Sequence, residues 1–241
     1  MIGAALAHRP GSFLDVGANV GQSLFDYLAT GADAGYFGFE PNIRCATYVS
    51  ALIRRNALEG ATLVPVALGD AASLLELHTP AGSDADSAAF IHGFVRPQWT
   101  TRREFIPCLR FDDIAGTLGI GQIALCKIDV EGFELEVLRG MSTTMAALKQ
   151  PILCEVLDAD ANADMAVHAD RVARLQAALV DLDYRIFHVL KTADGLCAGL
   201  EPMADLPKRK WAKEAEEQCD YLFAHRLDAL PGELIRQFGG G

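Results

Sequence analysis

Three groups of residues in this chain have the types and spacing to do chemistry. Asp15, Gly17, Asn19 and Gly21 end the short apolar run that starts at Phe13 and precede a helix-compatible stretch, Gln22 to Thr30. Glu40 closes a second apolar run, Gly35 to Phe39, immediately before Pro41. Lys127, Asp129 and Glu131 sit at the end of a third, with Glu155 ending a fourth.

The first group reads as a strand, a tight glycine turn and a helix N-terminus, the junction that opens at the carboxyl edge of a doubly wound sheet and lets backbone approach a nucleotide-like ligand. Two common phosphate cradles are poorly supported. A dinucleotide turn needs G-x-G-x-x-G, whereas the spacing here is Gly17-x-Asn19-x-Gly21, and a Walker loop needs a lysine that Gly17 to Ser23 lacks. Asp15 would repel a pyrophosphate but accept from an ammonium. S-adenosylmethionine, with its ammonium, sulfonium, carboxylate and ribose diol, suits such a mouth better than NAD. The expected cofactor contacts here are Asp15, Gly17, Ala18, Asn19 and Gly21.

Glu40 follows Gly21 by 19 residues. An acid at that distance, at the tip of the second strand, can take both ribose hydroxyls in a forked hydrogen bond, for NAD and S-adenosylmethionine alike. Pro41 is expected to open the next helix near its first turn. The turn Ala67-Leu-Gly-Asp70 is where an apolar adenine slot would form, with Asp70 accepting from the exocyclic amine and Val66 or Ala67 as the other candidate contacts.

In the third group Lys127 and Asp129 alternate onto one strand face and Glu131 follows in the turn. A hydroxyl that receives a methyl group must lose its proton. Asp129 or Glu131 could take it, or either could hold a divalent cation that acidifies the hydroxyl. Asp129 also borders the cofactor. Asp129, Glu131 and Glu155 at neighbouring tips would make an oxygen-rich set suited to magnesium or manganese. The same carboxylates could instead pair with Lys127. Glu134 and Glu136 read as surface residues of the following helix, and Gly132 and Gly140 as turn and C-cap glycines. His92, His188 and His225 are further candidate bases, although a lone histidine is more often packed or exposed than catalytic. Trp99 and Trp211 could stack on a sugar face or simply anchor their loops. No [N/D]-P-P-[Y/F] motif stands after the strand, so an oxygen acceptor is favoured over an amine.

The elements that must position these residues alternate strand and helix, which predicts a parallel sheet covered on both faces. Strands are predicted near 12–17, 35–40, 62–68, 122–129, 151–157, 183–189 and 218–224, with an extra one at 74–78. Helices are predicted near 20–30, 42–57, 111–118, 132–148, 162–181 and 229–237. Two segments fit this alternation poorly, 79–107 and 191–217, and are expected to act as lid or substrate segments of a single domain over 1–241.

Asp15-Val-Gly-Ala-Asn-Val-Gly21, Phe39-Glu-Pro-Asn42, Val66-Ala-Leu-Gly-Asp70, Lys127-Ile-Asp-Val-Glu-Gly-Phe-Glu134 with Leu138-Arg-Gly140, and Cys154-Glu-Val156 resemble the successive motifs of FkbM-type methyltransferases. The likeness runs in order over about residues 12 to 157. It implies an α/β, Rossmann-like, seven-stranded class I methyltransferase fold, mostly parallel with the last strand antiparallel. It also implies S-adenosylmethionine-dependent O-methylation of a hydroxyl on a sugar or other natural product, without saying which hydroxyl. Only about eleven residues precede strand one, so a substrate-covering helix from that region would be missing or shortened. The rival readings are an NAD-dependent oxidoreductase and a non-catalytic cofactor-binding scaffold.

Composition agrees. A chain of 241 residues with 51% hydrophobic content can bury one sizeable core. A formal net charge of −11 disfavours nucleic acid as partner, since its binders usually carry a basic footprint. The six cysteines form no C-x-x-C pair and read as reduced, small apolar residues. Met1 to Pro10 lacks a leader-like pattern and no run approaches a membrane span, so the expected compartment is the cytoplasm and the expected partner a small hydroxylated molecule. Oligomeric state is not encoded in any pattern seen.

Overall fold

The computed structural model describes residues 1–80, 90–91, 101–159, 163–210 and 219–238. Helix α1 (Ile2–His8) leads into β1 (Ser12–Val16), α2 (Gln22–Ala29), β2 (Tyr36–Phe39), α3 (Ile43–Arg55), β3 (Ala61–Val64), β4 (Ala67–Leu68), β5 (Ser73–Pro80), β6 (Phe90–Ile91) and β7 (Thr101–Leu109). There follow α4 (Phe111–Ile114), β8 (Ile123–Ile128), α5 (Glu134–Gly140), α6 (Ser142–Leu148), β9 (Ile152–Glu155), α7 (Met165–Val180), β10 (Tyr184–Lys191), β11 (Cys197–Met203), β12 (Asp220–His225) and α8 (Leu230–Phe238).

The main sheet has the order β11-β10-β12-β9-β8-β1-β2-β3. Strands β3, β2, β1, β8 and β9 pair in parallel, and β12 runs antiparallel to both β9 and β10. The mostly parallel sheet and its antiparallel final strand match expectation, but the sheet has eight strands rather than seven. The added one is β11, antiparallel to β10 at the edge.

Burial on both faces explains why the central strands read as continuous apolar runs. Phe13, Leu14, Ile123, Ala124, Leu125, Cys126 and Ile128 are wholly buried. Period-two alternation sorts them into two cores. Leu14, Val16, Cys126 and Ile128 join one face with Leu135, Val137 and Leu175, while Phe13 and Leu125 join the other with Ile2, Leu24, Val49 and Leu234. Helix α1, which the sequence pattern did not predict, belongs to that second core through Ile2 and Ala5.

The predicted strand 62–68 is two strands in two sheets. Pro65 stands at the break, where it has no N–H for a ladder, and the chain leaves β3 to pair Ala67 and Leu68 with Cys108 and Leu109. A second, four-stranded sheet results, ordered β4-β7-β5-β6, with β5 and β7 antiparallel over Ser73–Pro80 and Thr101–Leu109. Part of the expected lid at 79–107 is therefore regular strand. Likewise the expected lid at 191–217 contains β11, at the sheet edge with three strands between it and β8. The predicted helix 132–148 is divided into α5 and α6 at Met141. Residues 81–89, 92–100, 160–162, 211–218 and 239–241 lie outside the described residues, and with them His92, Trp99 and Trp211.

Candidate active site

Strand order reverses beside β1, which pairs β2 on one side and β8 on the other, and a crevice at the carboxyl edge is expected there. A cavity of about 250 Å³ occupies that position. Its walls are the β1 turn (Val16, Gly17, Asn19), the β2 tip (Phe39, Glu40, Pro41) with Cys45 of α3, and the apolar step Val66, Ala67, Leu68 with Leu77 of the second sheet. The β8 turn (Asp129, Val130, Glu131, Phe133) and Glu155 of β9 complete it.

The β1 turn is shaped by left-handed backbone, with φ of 87° at Gly17, 49° at Asn19 and 91° at Gly21. Gly17 and Ala18 donate their N–H groups to the Phe39 carbonyl at 2.9 and 3.1 Å. Glu40 then ties the turn to the β2 tip, since its Oε2 accepts from Asn19 N–H and its Oε1 from Asn42 N–H, each at 2.7 Å. Burial raises the Glu40 carboxyl to about 7, against the partial opposition of those two N–H donors. Pro41 immediately precedes Asn42, the N-cap of α3, whose side chain accepts from Arg44 N–H at 3.1 Å.

Asp15 is fully buried and is not on the cavity wall. Register places it opposite Lys127 on the same sheet face. Its Oδ2 accepts from the Tyr36 hydroxyl at 2.7 Å, and its Oδ1 faces Lys127 Nζ at 3.9 Å with no hydrogen-bond partner among the described residues. Lys127 Nζ in turn holds Asp129 Oδ2 at 2.9 Å. Burial alone would lower the Lys127 pKa, but the charges of Asp129 and Asp15 outweigh it and leave it raised. Asp15 and Lys127 thus act on the cavity from behind, through Asp129.

The structure brings Gly17, Asn19, Glu40, Pro41, Ala67, Asp129, Glu131 and Glu155 together on one cavity and leaves Asp15, Ala18, Gly21, Asp70 and Lys127 off its wall. Asp70 is exposed. Neither His188, beside Tyr221, nor His225, whose Nδ1 accepts from Leu227 N–H, reaches it. Glu134 is not a surface residue, being 4% exposed, and burial raises its carboxyl to about 7. Gly140 is not a left-handed cap, because a Cβ there would lie 1.9 Å from the Gly69 carbonyl oxygen, and it is close approach of α5 to that turn which requires glycine. Sequence reasoning missed Cys45, Leu77 and Phe133. The extra strand predicted at 74–78 was the one available signal for Leu77.

The magnesium or manganese set expected from Asp129, Glu131 and Glu155 is corrected. Among the described residues no group of three or more His, Cys, Asp or Glu is arranged to hold a metal ion. An ammonium already sits at 2.9 Å from Asp129. Burial, the Asp129 charge and a hydrogen bond with Asp129 raise the Glu155 carboxyl above its ordinary value. Lys127 supplies the cation that faces Asp129 on this wall.

The donor set fits S-adenosylmethionine better than a dinucleotide. Four of the 16 lining residues are acids and none is Lys, Arg or His. Such a wall suits ammonium, sulfonium and diol groups and would repel a pyrophosphate. Val66, Ala67, Leu68 and Phe39 supply an apolar slot beside Glu40.

The family model described as the methyltransferase FkbM domain matches residues 15–186. Among solved structures, the chain is similar to methyltransferase FkbM from Methylobacillus flagellatus KT, with a TM-score of 0.54 and 15% identity, over 90% of this chain and 44% of that one. At that identity the likeness concerns the fold, and this chain spans less than half of that protein's length. It is also similar to a SAM-dependent O-methyltransferase from Thermotoga maritima (TM-score 0.45, 14% identity, 92% of this chain and 62% of that one). A third is the precorrin-6y C5,15-methyltransferase from Geobacter metallireducens GS-15 (TM-score 0.43, 9% identity, 92% and 83%). No curated protein compared with the chain matches it. Among the described residues no helix is long and apolar enough to cross a membrane.

Proposed function

The chain belongs to the methyltransferase FkbM domain family, and on that premise we propose that it is an S-adenosylmethionine-dependent methyltransferase that acts on a hydroxyl oxygen of a small molecule, a sugar or a natural-product scaffold. The observation that carries this reading is the acidic, cation-free cavity wall at the strand-order reversal, with Glu40 beside an apolar slot.

When bound, S-adenosylmethionine supplies an electrophilic methyl group. Glu40 would receive the ribose hydroxyls on the lone pairs that its two backbone donors leave, and Val66, Ala67 and Leu68 would flank the adenine. Holding acceptor and donor in contact is the largest contribution available to a protein here, worth several kcal/mol in general. The hydroxyl proton would pass to a carboxylate oxygen of Asp129 or Glu131, the two acids of the β8 turn that face the cavity. Lys127, backed by Asp15, fixes the Asp129 side chain during that transfer.

The test is a methyl-transfer assay with S-adenosylmethionine against a panel of hydroxylated sugars and polyketides, with and without chelator, alongside calorimetric titration with S-adenosylhomocysteine and NADH. Micromolar binding of S-adenosylhomocysteine and chelator-insensitive methylation are expected. Binding of NADH with none of S-adenosylhomocysteine would replace this reading with an oxidoreductase. Cofactor binding without turnover, unchanged when Asp129 and Glu131 are both replaced by alanine, would indicate a scaffold.

A further inference from the structure

The turn that follows β8 supplies four of the cavity's lining residues, Asp129, Val130, Glu131 and Phe133. Its backbone is unfavourable on its own. Glu131 adopts φ of 55°, a left-handed conformation that costs a non-glycine residue about 1 kcal/mol. Gly132 follows at φ of 107°. Such a turn persists only when its surroundings over-determine it.

Both polar atoms of the Gly132 backbone are gripped by side chains. Its N–H donates to Glu134 Oε1 at 2.8 Å, and its carbonyl accepts from Arg171 Nε at 3.0 Å. Arg171 reaches this point from α7, 39 residues away in sequence, and its Nη1 also bonds Glu136 Oε1 at 2.9 Å, which locks the guanidinium to α5. Neither Glu134 nor Arg171 is on the cavity wall. Glu134 is buried and fills no role in the proposed reaction, so its polar group is otherwise unexplained at that depth.

We infer that Glu134 and Arg171 are positioning residues, a two-sided brace on Gly132 that holds the 129–133 turn in the one conformation in which its carboxylates face the cavity. The inference rests on the reading of the cavity as a cofactor site. The Glu134 oxygen fixes the 131–132 peptide through its N–H and Arg171 fixes the 132–133 peptide through its carbonyl, so loss of either lets the turn relax out of the left-handed region. The lining residues would then move while the buried core beneath them stays.

The test uses the full chain and S-adenosylhomocysteine as the probe, titrated calorimetrically at a temperature where thermal scans show each variant folded. Glu134→Ala and Arg171→Met should each weaken binding ~10-fold, the usual scale for loss of a supporting shell. Glu134→Gln keeps the acceptor for Gly132 N–H and should bind within ~2-fold of the wild type, since the hydrogen bond rather than the charge is what the turn needs. Wild-type affinity in both Glu134→Ala and Arg171→Met would overturn the inference, as would failure of both to fold or a Glu134→Gln as weak as the alanine variant. If the wild-type protein itself does not bind S-adenosylhomocysteine, the proposed function falls, a result distinct from variants that match a binding-competent wild type.

Discussion

A Cβ added at Gly17 would lie 1.8 Å from the carbonyl oxygen of Asp129. The turn after β1 and the turn after β8 are thus in backbone contact, joined also by Asp129 N–H donating to the Val16 carbonyl at 2.9 Å. The glycine serves this meeting of two strand tips as much as any ligand. Gly17→Ala should therefore push the turns apart and strain a backbone at φ of 87°. A loss of about 2 to 4 kcal/mol is expected from the clash and the left-handed penalty together. Thermal denaturation reads the stability, and S-adenosylhomocysteine titration should show binding abolished.

Lys127 is the sole cation that pairs with Asp15 among the described residues, and Asp15 is fully buried. Lys127→Met strands that carboxylate, and removing one partner of a buried pair typically costs about 3 to 5 kcal/mol. Adding Asp15→Asn should restore part of the loss, a coupling that a double-mutant cycle in urea measures. Strict additivity would show that the two side chains do not interact.

Glu134 gives the clearest pH signature. Its carboxyl is raised from an ordinary 4.5 to about 7, first by burial. The folded state therefore holds a proton that the unfolded state releases, and stability falls as pH rises from about 4.5 to about 7. Glu134→Gln removes this penalty. The stability of the variant relative to wild type should improve by about 2 kcal/mol between pH 5 and pH 8. Urea midpoints at the two pH values decide it, and a pH-independent difference would count against a buried, proton-holding Glu134.

Glu40→Gln preserves shape but replaces one carboxylate oxygen by an amide donor facing the Asn19 or Asn42 N–H. A hydrogen bond to a charged group contributes about 1.5 to 3 kcal/mol, so affinity for S-adenosylhomocysteine should fall at least ~10-fold. Adenosine and 2′,3′-dideoxyadenosine should then be distinguished by the wild type and not by the variant, as a competition titration would show.

Much of this arrangement is legible in one dimension. The strand-turn-helix at Phe13–Ala29, the acid at the tip of β2 and the alternation of apolar runs with helical patterns all reflect local constraints, burial on both faces and turn chemistry, and each leaves a mark within about ten residues. The second sheet left a weaker mark. Its pairings join Ser73–Pro80 to Thr101–Leu109, and the β4 partner of β7 is two residues long, too short for any pattern.

What the chain alone determined was the list of chemically able residues and the sheet that gathers them, because residue type and hydrophobic period are properties of neighbours in sequence. Only the tertiary structure decided which acids face the cavity and which stand behind it. Asp15 lies inside β1, level with Gly38, and is sealed between Tyr36 and Lys127, while Glu40, just past the end of β2, borders the cavity. That difference lies in the register of the strands and in partners that are 21 and 112 positions away, where distance along the chain says nothing about distance in space.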